Sequence, residues 1–290
     1  MAQSEAPARP GRAHVARLNA VTAPPGRLAL VLIMVLVFFY PLLQMLFTSF
    51  TPTNQILTDP PKLLPQTWTL ANYAAAVRTI PIARYFLNTL VVSGLAVLGT
   101  VLSCPPVAYA LSKVRWWGRN PLLLVVLATM MLPPQVTMVP IFLIWNNLGL
   151  TNTYWPLITP AFLGTPFLIF MIRQFLMQVP DQLIEAGRLD GASEFTIYAR
   201  IVLPLARPAL ITAGVFQFVW TWTDFLGPLI YLNDDSKYTL SIGLYSFFGQ
   251  HDIAWGPLMA ACVLFTIPAV LIFLVAQRYF VGGISTGALK

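Results

Sequence analysis

The sequence predicts an all-α integral membrane protein with six transmembrane helices. Charged residues make up 9% of the 290-residue chain and hydrophobic residues 57%, where a soluble protein carries about 25% charged residues. Mean hydropathy is +0.72. Such a chain cannot cover itself with a water-compatible surface, so its solvent is a bilayer. Six apolar segments each reach the length of ~20 residues that crosses a hydrocarbon core of ~30 Å. The net charge of +7 would suggest nucleic acid in a soluble protein; here the basic excess sits at the ends of apolar segments and reads as positive-inside bias.

Taken in order, residues 1–27 are rich in Pro and Ala and carry Arg9, Arg12, Arg17 and Arg27 against Glu5 alone. This composition builds no core and reads as a disordered cytoplasmic arm. The apolar run behind it is longer than a signal-peptide core and has no clear small-residue cleavage site. The six spans are Leu28–Phe50, Phe86–Ser112, Pro121–Trp145, Pro156–Gln178, Pro208–Leu232 and Pro257–Val281. The second exceeds the bilayer and is expected to tilt or project. Pro41, Pro105, Pro106, Pro133, Pro134, Pro140, Pro166, Pro228 and Pro268 interrupt spans. Kinks there free carbonyls that must find partners on neighbouring helices, so a compact kinked bundle is expected.

With the N-terminus inside, the cytoplasm receives Arg9, Arg12, Arg17, Arg27, Lys113, Arg115, Arg119, Arg173, Arg188, Arg200, Arg207, Arg278 and Lys290. Only Lys62, Arg78, Arg84 and Lys237 are left outside, and thirteen against four fixes the expected topology. Outside lie a loop around 51–85 with Trp68-Thr69-Leu70-Ala71-Asn72-Tyr73, a turn near Asn146–Trp155, and a loop near Asn233–Gly256 with Asp234, Asp235 and Asp252. Trp68, Tyr73, Trp145, Tyr154, Trp155 and Trp255 stand near span ends and read as an aromatic interface belt.

The densest polar stretch, Pro180–Pro204, falls in the cytoplasmic loop between the fourth and fifth spans. Pro180 suits the first position of a short helix, Asp181 its positive end, and Gly191 a left-handed closing position. Ser193 can cap a second helix carrying Phe195, Tyr198 and Val202, which Pro204 ends. Two short helices meeting at a glycine make a protruding platform rather than a simple connector.

The catalytic inventory is sparse. No Gly-Lys pair occurs, which excludes a phosphate-cradling G-x-x-x-x-G-K-[ST] loop. No H-E-x-x-H, paired-cysteine or G-x-S-x-G motif occurs either, so no catalytic residue, metal or cofactor is expected in this chain. Cys104 and Cys262 read as small core residues and His14 and His251 as solvated loop positions. Asp224, in Trp220-Thr221-Trp222-Thr223-Asp224-Phe225, is the one acid placed within a span, where an ionisable group normally faces the bundle interior or a wet cavity. Three readings are open for it: packing or gating, a solute path shared with Trp222, and a proton or ion relay. Arg173 most simply snorkels to the inner interface.

The polar stretch resembles the signature of permease subunits of ABC importers, E-A-A-x-x-x-G followed after nine residues by I-x-L-P. Glu185-Ala186-Gly187 leads to Gly191, and Ile201-Val202-Leu203-Pro204 follows at that spacing. Arg188-Leu189-Asp190-Gly191-Ala192-Ser193 looks like the version in carbohydrate importers of the maltose class. Ala108–Lys113, Leu132–Gln135, Gly149–Thr153 and Gln277–Lys290 look like the same branch, so the likeness covers residues 28–290. Gly187 departs from the usual alanine; it either loosens the helix or admits closer approach of a partner. The resemblance implies a type I ABC-importer permease fold over 28–290, with cytoplasmic coupling helices in the loop 179–206. By the same likeness Glu185, Ala186, Gly187, Arg188, Asp190, Gly191, Ile201, Leu203 and Pro204 would serve docking to an ATPase. It further implies a second permease subunit, an ATP-binding ABC subunit dimer, an extracytoplasmic solute-binding protein and a bacterial or archaeal inner membrane, with no nucleic acid. The chain would move a sugar or related carbohydrate by alternating access. A self-contained secondary carrier or channel is the alternative, and it would need more intramembrane ionisable groups than this sequence offers.

Overall fold

A computed structural model describes residues 25–58, 63–249 and 253–285. The expected arm up to residue 24, Lys62, His251, Asp252 and Lys290 lie outside them. The described chain is helical, with one isolated bridge between Phe248 and Ile253. It divides into two units, one ending at Gln44 and one starting at Met45.

The first unit is most of α1 (Pro25–Ser49), whose leucine, valine and phenylalanine side chains are exposed all round. A helix apolar on every face belongs in hydrocarbon. The second unit continues with α2 (Thr53–Ile56), α3 (Ala71–Thr79) and the 31-residue α4 (Ile82–Ser112). Next come α5 (Arg119–Thr129), α6 (Pro134–Asn147), α7 (Trp155–Phe162), α8 (Pro166–Leu176), α9 (Asp181–Leu189) and α10 (Glu194–Ile197). A wide π turn over Tyr198–Val202 leads to α11 (Leu203–Leu205), α12 (Arg207–Thr223) and α13 (Leu226–Tyr231), and α14 (Leu240–Tyr245) and α15 (Trp255–Ser285) close the fold.

Among the described residues four helical segments are long and apolar enough to cross a membrane unaided: Gly26–Ser49, Ile82–Ser112, Trp155–Leu176 and Trp255–Tyr279. The count rises to six when two bent pairs, Arg119–Asn147 and Glu194–Thr223, are each one crossing. The third span, where Pro133 and Pro134 are expected to interrupt the helix, bends by 98° between α5 and α6. Pro133 there is extended (φ −62°, ψ 132°) because it precedes Pro134, the first residue of α6. The fourth span also breaks, at Gly164 (φ +94°) ahead of Pro166. The fifth ends at Thr223 rather than at Leu232, and Asp224 leaves it in an extended conformation (ψ 124°).

α4 is the axis of the second unit. Its buried side is lined by small residues, Ser93, Ala96, Gly99, Thr100, Cys104 and Ala108, which let neighbouring backbones approach closely. At Gly99 the approach is so close that a Cβ would run into the ring of Phe162 at 2.5 Å. The same helix repairs the break between α7 and α8. Ser103 Oγ donates to the Ala161 carbonyl at 2.8 Å, and the Thr165 N–H donates to Cys104 Sγ at 3.4 Å. Gln217 on α12 accepts from Thr100 (3.0 Å) and Thr165 (3.4 Å) and donates to Thr221 (2.9 Å), joining three helices.

At the other end of the bundle two asparagines hold the loops. Buried Asn72 donates to the carbonyls of Ser49 (3.0 Å), the last residue of α1, and Thr51 (2.7 Å), two residues beyond it, where no helical partner is available. Gly256 lies against the Asn72 side chain with no room for a Cβ. Asn152 adopts φ 58°. Its Oδ1 accepts from the Asn233 and Asp234 amides at 3.1 Å, and its carbonyl takes the Lys237 ammonium at 2.9 Å. Of the expected aromatic belt, Tyr73 and Tyr154 are held in the protein by hydrogen bonds with Ser49 and the Lys237 carbonyl. Trp68 and Trp155 remain exposed. Because Asn152 serves two amides at once, Asn152→Ala is expected to cost about 1–3 kcal/mol, read as a lowered unfolding midpoint of the detergent-purified chain.

Candidate functional site

The polar stretch folds as two helices around a glycine. Pro180 is the residue before α9, not its first turn (φ −59°, ψ 131°), and Asp181 opens the helix at its positive end. At the far end Gly191 takes φ +77°. Its N–H donates to the Arg188 carbonyl and that of Ala192 to the Gly187 carbonyl, both at 3.0 Å. These paired bonds close α9 as a Schellman motif. Ser193 Oγ accepts from the Thr196 amide at 3.2 Å and caps α10.

Beyond α10 the chain differs from expectation. Pro204 does not end the helix, which turns through Tyr198–Val202 with the Leu203 amide donating to the Tyr198 carbonyl. The wider turn carries the chain past the proline, which has no N–H to place. It also shifts the register, so Phe195 and Val202 do not share a buried face. Phe195 is 76% exposed, whereas Ile197 and Val202 are buried.

Ile184, Ile197 and Val202 join one apolar cluster with Ala108, Leu111, Ile172 and Leu176 from α4 and α8. Burial of each such side chain contributes about 1.5–3 kcal/mol, so the platform is rooted in the bundle. Gly187 points inward, against its own chain. A Cβ there would meet Ile201 Cδ1 at 3.0 Å and Ile197 Cγ1 at 3.3 Å. The glycine therefore serves the packing of α9 on the following turn and not an outside partner. Glu185, Ala186, Arg188, Asp190 and Gly191 are exposed, Leu203 is half-buried and Pro204 is exposed. The outermost apolar side chain of α9, Leu189, is 89% exposed.

Two polar pins tie this pair of helices to the end of α4. Lys113, nearly buried, binds Asp181 and the Val179 carbonyl, each at 2.6 Å. Its ammonium holds the Asp181 carboxyl below the usual carboxylate range. The second pin is a relay: Arg188 Nε donates to Glu194 at 2.8 Å, and Tyr109 Oη donates to the other oxygen of that carboxylate at 2.8 Å. The hydrogen bonds from Arg188 and then Tyr109 lower the Glu194 pKa. Both carboxylates remain charged at neutral pH and release their partners only as pH falls below their lowered values. Arg173, expected to snorkel, instead donates from Nε to the Leu111 carbonyl at 3.0 Å, satisfying the last turn of α4.

The other candidate residues lie apart from this platform in sequence and in packing. Asp224 caps the short α13 by accepting from the Gly227 amide at 3.1 Å, and Ser241 donates to its carbonyl at 2.6 Å. Trp222 is fully buried, stacked between Phe218 and Phe265 with Phe86 at its edge, and its indole N–H donates to the Phe265 carbonyl at 2.9 Å.

Residues 97–286 match the family described as binding-protein-dependent transport system inner membrane component. The chain belongs to that family. It is 36% identical over 252 residues to the probable ABC transporter permease protein YurM of Bacillus subtilis (strain 168), covering 87% of this chain and 83% of that one. It is 33% identical over 254 residues to the arabinooligosaccharides transport system permease protein AraQ of Halalkalibacterium halodurans, covering 87% and 91%. Its fold matches a chain in the crystal structure of a bacterial ABC transporter involved in the import of the acidic polysaccharide alginate. There the TM-score is 0.78 at 24% identity, over 88% of this chain and 95% of the other. The protein is thus a multi-pass membrane permease subunit with a type I ABC-importer permease fold, not itself an enzyme.

The contacts around Gly187 give a direct test. Gly187→Ala needs a shift of a few tenths of an ångström by the Ile201 tip and by Ile197 Cγ1 and gains up to about 1 kcal/mol of helix propensity, so its unfolding midpoint should stay near that of the parent. Gly187→Val adds two methyl groups to the same space and should lose about 1–3 kcal/mol. Equal midpoints for the two variants would refute the tight inward packing.

Proposed function

We propose that α9 and α10 form the coupling element of a sugar importer, the part on which a separate ATPase acts to reorient the permease. The observation that carries this reading is a rigid, doubly pinned helix pair that presents Leu189 and Phe195 to solvent beside the exposed charges of Glu185 and Asp190. Such a surface suits insertion into a complementary cleft, with apolar anchors at the centre and charges at the rim. This chain has no Gly-Lys loop, which suits a division of labour in which two ATP-binding subunits supply hydrolysis. A second permease subunit completes the cavity, and an extracytoplasmic binding protein delivers solute. ATP-driven closure of the ATPases would draw the coupling elements of the two permeases together and turn the cavity outward. The distribution of basic residues supports placing both termini and α9–α10 in the cytoplasm. A sugar substrate is supported by the similarity to the arabinooligosaccharide permease and by the carbohydrate-type motif Arg188–Ser193.

Reconstituted with its partners, the importer carrying Glu185→Lys or Gly191→Val is expected to assemble in the membrane but lose solute-stimulated ATP hydrolysis. Valine at φ +77° adds strain of about 1–3 kcal/mol at the turn between the helices. Stimulation equal to that of the parent would overturn the coupling role, and solute uptake by this chain alone without ATP would favour a secondary carrier.

For Asp224 we propose a packing role that sets the end of α12 and the start of α13, with Trp222 as its buried support. Asparagine keeps the acceptor oxygen that caps α13, so Asp224→Asn should transport at near-parent rates while Asp224→Leu should not. Complete loss in the asparagine variant with normal assembly would assign Asp224 to the solute path or gate.

A further inference from the structure

The turn that joins α4 to α5 has features that the coupling role does not use. Arg115, Trp116, Trp117, Arg119 and Asn120 line a hollow of about 280 Å³. Arg115 and Arg119 also border an adjoining polar hollow of similar size with Lys113, Arg188, Asp181 and Glu185. Four cations face two carboxylates there, and Lys113 and Arg188 are already bound to Asp181 and Glu194. Neither Arg115 nor Arg119 takes part in an ion pair among the described residues. Arg119 reaches only the Ser112 carbonyl, at 3.5 Å.

The rest of the turn is arranged to receive an anion at a membrane surface. Trp116 is fixed: its indole N–H donates to the Ala110 carbonyl at 3.1 Å and its ring lies over Gly118, leaving no room for a Cβ. Gly118 precedes α5 and has no side-chain oxygen to cap it, so the positive end of that helix is open beside the two arginines. Trp117 is 96% exposed, and Leu124 and Val125, one to two turns into α5, are exposed as well. A bare tryptophan between the ends of two apolar helices belongs at headgroup level, and basic pockets between such helices bind anionic headgroups.

We propose that the α4–α5 turn binds the phosphate headgroup of an anionic phospholipid, held by Arg115 and Arg119 with Trp117 in the interface. The assignment rests on α4 and α5 crossing the bilayer; the cytoplasmic leaflet in particular rests on the orientation given under the proposed function. An acidic segment of a protein partner would satisfy the two arginines equally well. It would leave Trp117 and the apolar surface of α5 facing water, and so it fits less well.

The test is titration of the detergent-purified importer, containing the full chain, with a fluorescent phosphatidylglycerol. Arg115→Gln combined with Arg119→Gln should weaken binding about 30-fold. The corresponding double lysine variant should retain most of the affinity, and Arg78→Gln should bind as the parent does. Parent-like binding by the double glutamine variant, or equal affinity for phosphatidylcholine, would overturn the site. Displacement by millimolar inorganic phosphate would reassign it to a free anion. Loss of the ATPase subunit from the variant complex with lipid binding intact would reassign it to a protein contact. Orientation is read separately, by labelling Trp117→Cys with an impermeant maleimide. Labelling from the outside would reverse the leaflet and leave the lipid titration to stand or fall alone.

Discussion

Inside hydrocarbon no water can satisfy a backbone group, so every break in a membrane helix must be repaired by the protein itself. This chain breaks its apolar segments repeatedly, at Pro133-Pro134, at Gly164 ahead of Pro166, and at Asp224. The arrangement of the second unit follows from where the repairs come from. α4 supplies Ser103 and Cys104 to the gap between α7 and α8, and Thr100 to the Gln217 network that ties in α12. Its small residues allow the approach that these short bonds require. The Asp224 carboxylate plays the same part at the next break, where it supplies the acceptor that α13 needs.

The loop outside the bundle obeys the complementary rule. In water, backbone ends cost little to leave open, yet α9 and α10 are closed by Gly191 and Ser193 and pinned through Lys113, Arg188, Glu194 and Tyr109. Salt bridges exposed to solvent contribute little each. Here they act together with a buried apolar root, and one partner, Lys113, is itself nearly buried. Stiffness is the property that the proposed coupling role would require, since a coupling element has to carry a push from one protein to another without absorbing it.

Much of this was legible in the residues. Hydropathy located the apolar segments, and the E-A-A-like spacing located the platform. Gly191 and Ser193 announced its turn and cap because few residues satisfy those backbone geometries. Other features were hidden because they depend on contacts between distant segments. Gly187 seemed free to face a partner until the π turn brought Ile197 and Ile201 against it. Nothing local to Asn72 or Asn152 marks them as ties between loops about 20 and 80 residues apart in sequence. The sharp bend between α5 and α6 follows from the double proline, but its angle of 98° is not reported by periodicity. Lys113 reads from the sequence as a cytoplasmic positive charge and Arg173 as a snorkelling one, whereas each spends donors on a carbonyl of a neighbouring segment.

The two pins share a consequence for how force would travel. Both join α9–α10 to the last turn of the same helix, at Tyr109 and Lys113, one turn apart. A single attachment would act as a swivel, letting the platform rotate while the helix stayed put. Two attachments would remove that freedom, and in the proposed coupling role the platform would be the short arm of a lever whose long arm is α4. At ~1.5 Å per residue its 31 residues, with Pro105 and Pro106 among them, run about 46 Å along the helix, so moved as one body a tilt of about 5° at the pinned end would displace the far end by about 4 Å. A small movement of the platform would in this way become a displacement wider than a water molecule at the opposite face of the membrane.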